Sequence, residues 1–240
     1  MPRAPIRFPG FPPATLQFLA KLAKNNNRDW FEKNKERYEA EVKTPMLELV
    51  TAVGASMIDF APDYIPEPKK AVYRIYRDVR FSKDKRPYKT NVAASFWRQN
   101  LPKNGSAGFY VHVDNEEALV AAGVYMPPPD LLRTLRLHIE KQHERLTAIL
   151  ADQKRAKLTG PLQGESMSRL PKGFLPGHPA EELLKRKMYI YWVSFPPKDA
   201  ESPKFLAEVG KRFAAMAPLV EFLNEPLLGK GRRVLHPMGE

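Results

Sequence analysis

The chain has 240 residues, 43% hydrophobic and 28% charged, and its 39 Lys and Arg against 27 Asp and Glu give a net charge of +12. That length can build a sizeable core, and the absence of cysteine excludes disulfides, thiol nucleophiles and thiolate metal sites. The positive surplus directs attention to acidic partners: nucleic acid, an anionic membrane or phosphorylated ligands.

The N-terminal Met1–Arg7 has no apolar signal region, and the longest apolar run, Ala118–Met126, is far short of the ~20 residues that span a bilayer. No membrane association is expected, and the chain is expected in the cytoplasm. Residues 1–11 read as an extended arm. Ala14–Lys24 then places Leu16, Leu19, Ala20 and Ala23 at helical spacing. Asn25-Asn26-Asn27 ends this helix and caps the next, predicted over Arg28–Lys43 with Phe31, Tyr38 and Val42 on one stripe, which Asn34 and Lys35 interrupt. Thr44-Pro45 reads as the start of a third helix reaching Phe60, with Met46, Leu49, Val50, Val53 and Met57 inward.

Val72–Phe81 is rich in β-branched and aromatic residues and is predicted as a strand. Period-two alternation puts Tyr73, Ile75, Arg77, Val79 and Phe81 on one face and Arg74, Tyr76, Asp78 and Arg80 on the other. Arg77, on an otherwise apolar face, demands an acid or carbonyl partner or a bulge. Ser82-Lys83-Asp84-Lys85 follows as a polar turn, and Pro87 biases Arg86 towards extended backbone. Arg74–Lys89 thus holds seven Lys and Arg against Asp78 and Asp84, with Tyr76 and Tyr88 interleaved.

Strands are further predicted at Asn91–Arg98, Ala107–Asp114 and Leu119–Met126, joined by short turns and therefore antiparallel neighbours. On the second of these, Tyr110 and His112 share one face and Phe109, Val111 and Val113 the other. The expected adjacency sets Tyr110 and His112 beside Arg74, Tyr76 and Arg80. Asp130 caps a long helix through about Asp152, packing on the sheet through Leu132, Leu135 and Ile139, with Arg136 at the surface or reaching a sheet edge. A turn-rich stretch, a strand at Met188–Phe195 and a helix at Pro203–Leu223 complete the body. Residues 229–240, with Gly229-Lys230-Gly231-Arg232-Arg233, read as a flexible basic tail.

The whole reads as one α+β domain over residues 1–240, an antiparallel sheet beginning at the basic strand and packed by N-terminal and later helices. Its expected ligand site gathers Arg74, Arg77, Arg80, Lys85 and Lys89, with Tyr76, Tyr88, Tyr110 and His112 as walls. Arg offers a bidentate fork to phosphate, Lys a point charge and Tyr a stacking face. Nucleic acid or a phosphorylated ligand is the expected partner, with no cofactor and no metal. Two other readings stand beside it: an enzyme for a small phosphorylated or carboxylated substrate with His112 as acid or base, and a structural protein whose arginines are held in ion pairs with Asp78, Asp84 and helix acids.

Residues 74–89, Arg-Ile-Tyr-Arg-Asp-Val-Arg-Phe-Ser-Lys-Asp-Lys-Arg-Pro-Tyr-Lys, together with Asn25-Asn26-Asn27-Arg28-Asp29-Trp30-Phe31, resemble the bacterial and fungal family of conserved hypothetical proteins called domain of unknown function 2461. The resemblance covers nearly the whole chain, thinning after about Arg136 and returning in Pro171-Lys172-Gly173-Phe174 and from His178-Pro179 to Leu183-Leu184-Lys185. It implies a single-domain protein with two signature blocks, Asn25–Phe31 and Arg74–Lys89, and brings no established activity with it.

Overall fold

The computed structural model describes residues 7–229. Residues 1–6 of the expected arm, and the expected tail from Lys230 onward, lie outside the described residues.

Helix α1 (Pro13–Lys24) buries Phe18, Leu19 and Leu22 and ends at Asn25. Asn27 caps α2 (Arg28–Lys33), its side-chain oxygen accepting the Trp30 N–H at 2.9 Å. The expected helix over 28–43 breaks at Asn34, where φ is −116°, the polar residue that interrupts the apolar stripe. The chain resumes as α3 (Lys35–Tyr38), passes through a π-helical turn at Glu39–Lys43 and continues without a break into α4 (Thr44–Met57). Thr44 is therefore not the cap of a new helix: its backbone is helical, and its hydroxyl donates back to the Glu39 carbonyl at 2.8 Å. Pro45 has no N–H for the carbonyl four residues earlier, that of Glu41. The buried Thr15 of α1 fills the gap by donating its hydroxyl to that carbonyl.

After α5 (Pro68–Ala71) comes the basic segment, and here the expected strand is overturned. Val72–Phe81 makes only two isolated bridges, Val72 to Ala94 and Tyr76 to Tyr88. Its own chemistry explains this. Asp78 accepts from both the backbone N–H and the guanidinium of Arg80, and Asp84 does the same for Arg86. Such i, i+2 side-chain-to-backbone bonds turn the chain and compete with a ladder. The segment folds back on itself as an irregular hairpin, Lys89 N–H donating to the Ile75 carbonyl at 2.8 Å and Arg77 N–H to that of Pro87 at 2.9 Å.

The sheet begins only afterwards, as β1 (Val92–Trp97), β2 (Gly108–Val113), β3 (Ala118–Val124) and β4 (Tyr189–Phe195), antiparallel and in that order. The register sets Phe96 opposite Phe109 and Val111 opposite Val120, and this core face packs on α10 (Phe205–Leu228), where Phe213 lies 5.5 Å from Phe96 and 4.9 Å from Phe109 between ring centroids. Gly123 has φ +131°, and a Cβ there would stand 2.1 Å from the Tyr189 carbonyl, so only glycine lets β4 close on β3. Helix α4 packs on α10 and β1, giving the α+β architecture its N-terminal layer. The expected helix over 131–152 is broken at Gln142 into α6 (Pro129–Lys141) and α7 (His143–Ala151), both set against α10. Two short helices follow, α8 (Gln153–Thr159) and α9 (Glu181–Leu184).

The free edge of β4 is met at Ile190 and Trp192 by one residue. Gln163 donates its amide to the Trp192 carbonyl at 2.9 Å and accepts the Trp192 N–H at 2.8 Å, while its own N–H donates to the Ile190 carbonyl. An edge occupied in this way offers less for another strand to join.

Candidate functional site

The two signature blocks meet. Asn26 accepts the Tyr88 N–H at 3.0 Å and donates to the Tyr88 carbonyl at 2.9 Å, pairing with that residue as a neighbouring strand would. Phe31 stacks on Tyr88 at 4.2 Å and meets the edge of Tyr76 at 6.2 Å. Asn27 starts α2 so that Phe31 faces inward, and Asn26 fixes the returning arm of the hairpin one residue before Lys89.

So anchored, the hairpin leans over the outer face of the sheet, which carries Ser95, Tyr110 and His112. Between them lies a cleft of about 430 Å³ whose walls include Tyr73, Arg77, Asp84, Arg86, Tyr88, Lys89 and Tyr110. A second cleft, of about 560 Å³, lies between the hairpin and the α3–α4 segment, with Lys35, Glu39, Lys43, Lys69, Arg74 and Tyr76 on its walls. Tyr73 belongs to both.

The expected cluster is thus divided. Arg77, Tyr88, Lys89 and Tyr110 come together in the first cleft, and Arg74 and Tyr76 face the second. Arg80 pairs with Asp78 at 2.8 Å, and Lys85 donates to the Val79 carbonyl at 3.0 Å; neither lines a cleft. The expected adjacency of Tyr110 and His112 with Arg74, Tyr76 and Arg80 is corrected. Tyr73, from the other expected face, is the residue that approaches Tyr110, at 6.2 Å, because the bridge of Val72 to the core-facing Ala94 turns Tyr73 to the outer side of the sheet. His112 stands 5.6 Å from Tyr110 without lining the first cleft. Arg136 is not a surface residue: 7% exposed, it donates to the Arg186 carbonyl at 2.8 Å and lines neither of the two clefts. Sequence reasoning passed over Tyr73, placed on the inward face, and Lys103, which sits in a turn.

The charges are unevenly satisfied. Asp84 holds Arg86 at 2.7 Å and Arg77 at 2.8 Å, and these guanidiniums, Arg86 foremost, keep its carboxyl well below the usual range. Lys89 and Lys103 differ. Their ammonium groups lie 5.0 and 4.3 Å from the centre of the Tyr73 ring, and among the described residues neither has a carboxylate within ion-pair distance. Burial pulls both below the ordinary lysine value, and a neighbouring cation adds to it, Arg74 for Lys89 and Lys89 for Lys103.

His112 gives a testable pH response. Its Nε2 lies 3.5 Å from Glu117 and 4.0 Å from Asp114, yet burial outweighs both carboxylates and lowers the imidazole below 6.5; His138 is lowered as well, chiefly by burial and despite Glu225. The unfolded chain therefore binds protons that the folded chain refuses. The stability so contributed is complete above the unfolded value and is lost as pH falls through the lower folded values. The melting temperature should hold steady above roughly pH 7 and decline below it, with a shallower decline in His112→Gln. An identical profile in that variant would show that the imidazole is not held neutral.

Among the described residues no helix is long and apolar enough to cross a membrane, and no group of three or more His, Asp and Glu side chains is placed to hold a metal ion. No curated protein and no solved structure matches the chain. The family described as conserved hypothetical protein (DUF2461) matches residues 14–222, from α1 into α10 and across both signature blocks, and the chain belongs to that family.

Proposed function

We propose that this protein binds a phosphate-bearing ligand in the cleft between the hairpin and the outer face of the sheet. The observation that carries this reading is Lys89, which lines the cleft partly desolvated against the Tyr73 ring, with Lys103 on the same ring and, among the described residues, no carboxylate within ion-pair distance. Lys103 lines neither cleft and donates to the Lys70 carbonyl at 3.2 Å. Like charges held together in partial burial raise the energy of the empty site, and an anion beside Lys89 relieves it. Arg77 and Arg86, already oriented by Asp84, line the same cleft. The pairing of those two arginines also favours a second reading, in which they only brace the hairpin; Lys89 separates the two.

Calorimetric titration with pyrophosphate at low salt should show binding to the wild-type chain. Lys89→Ala should weaken it about tenfold or more, since a charge-assisted hydrogen bond contributes ~1.5–3 kcal/mol. The ligand-free variant should melt no lower than wild type, because a repelled cation is removed from the group. Absence of pyrophosphate binding, or equal binding by the variant, would overturn the reading.

A further inference from the structure

We infer that the ligand is a single strand of nucleic acid, its backbone running from the first cleft into the second past Tyr73; this rests on the anion reading above. Both clefts are dominated by cations. Arg77, Arg86 and Lys89 face Asp84 in the first, and Lys35, Lys43, Lys69 and Arg74 face Glu39 in the second. One phosphorylated metabolite would occupy one cleft and leave the other unexplained. A chain that repeats its negative charge fits two adjoining recesses with a shared wall.

The aromatics point the same way. Tyr76 is 45% exposed on the wall of the second cleft, and Phe81, at the hairpin tip, is 95% exposed with the Arg80 guanidinium 5.8 Å from its ring. Neither ring is hidden by the fold, and a ring beside a cation is what an unstacked base meets on a single-strand platform. The clefts are recesses of a few hundred Å³ between packed elements. A flexible strand can bend into them, whereas the stiff outer surface of a duplex cannot.

The test measures anisotropy of labelled DNA and RNA single strands of about 12 nucleotides, and of a duplex of equal length, on the whole chain. Lys35→Glu/Lys69→Glu alters only the second cleft, at two exposed positions. Both single strands should bind more tightly than pyrophosphate and than the duplex. The double variant should lose about tenfold or more in strand affinity with a shallower salt dependence, while its pyrophosphate affinity and melting temperature stay near wild type. The inference is overturned if the strand binds no tighter than pyrophosphate, if the duplex binds better, or if the double variant binds the strand as wild type does. In each case pyrophosphate binding that depends on Lys89 would leave the anion reading standing. Loss of that binding would remove both.

Discussion

Asn26→Asp should lower stability by about 2–3 kcal/mol and the melting temperature by roughly 5–10 °C. The substitution keeps the shape of the side chain and the oxygen that accepts the Tyr88 N–H. It removes the amide that donates to the Tyr88 carbonyl and sets a charged oxygen about 2.9 Å from that carbonyl instead. Tyr88 is buried, so the orphaned carbonyl cannot turn to water without moving the hairpin. An acid just ahead of α2 would regain ~0.3–1 kcal/mol from the helix dipole, too little to offset the loss. The hairpin arm that Asn26 holds leads directly into Lys89, so pyrophosphate affinity should fall in the same variant. Asn27→Ala is the comparison, since it removes only a helix cap at about 1 kcal/mol. A melting curve for Asn26→Asp that matches wild type would show that the two signature blocks are not held together by this amide.

What the sequence disclosed and what it hid divide along a physical line. The four strands of the sheet and the faces of β2 were readable because the signals are local: composition alone marked Met188–Phe195 as a strand, and alternation sent Phe109, Val111 and Val113 to the core and Tyr110 and His112 outward. Asn34 broke a hydrophobic stripe and does break the helix. The hairpin was misread for a reason equally local. The tyrosines, valines and phenylalanine of 72–81 carry the strand propensity, but Asp78 with Arg80 and Asp84 with Arg86 capture backbone N–H groups two residues on and bend the chain. The split between Tyr73 with Arg77 and Arg74 with Tyr76 survives the bend, but it is the first pair and not the second that reaches the cleft of Tyr110. Arg77 on an apolar face was the residue that did not fit a strand, and Asp84, seven positions away, is its partner. Three amide clamps left no local signal. Asn26 reaches Tyr88 over 62 residues, Gln163 reaches Trp192 over 29, and Asn224 reaches Ala107 over 117, each supplying both a donor and an acceptor to one backbone residue. Asparagine and glutamine in a loop or on a helix look alike whether they serve such a clamp or face water.

The most deeply placed of the clamps should carry the largest stability effect. Asn224 of α10 is fully buried; it accepts the Ala107 N–H at 2.8 Å and donates to the Ala107 carbonyl at 3.0 Å and to the Tyr64 hydroxyl at 2.8 Å. Asn224→Leu leaves little cavity, because the volumes are close, so its cost is polar: the N–H and carbonyl of Ala107 and the hydroxyl of Tyr64 lose partners where water does not reach. At ~1–2 kcal/mol for each orphaned group the expected loss is about 4 kcal/mol, or roughly 8–16 °C in melting temperature. Tyr64→Phe removes one of the three bonds and should cost about 1 kcal/mol, and the double variant should cost less than the sum, because the phenol's bond to Asn224 is counted in both. Ala107 leads into β2, and Tyr64 lies in the loop that precedes the hairpin, so one side chain of α10 ties the sheet and the approach to the cleft together. If Asn224→Leu unfolds within a degree or two of wild type, the two backbone groups of Ala107 have found other partners and the clamp is not what joins them.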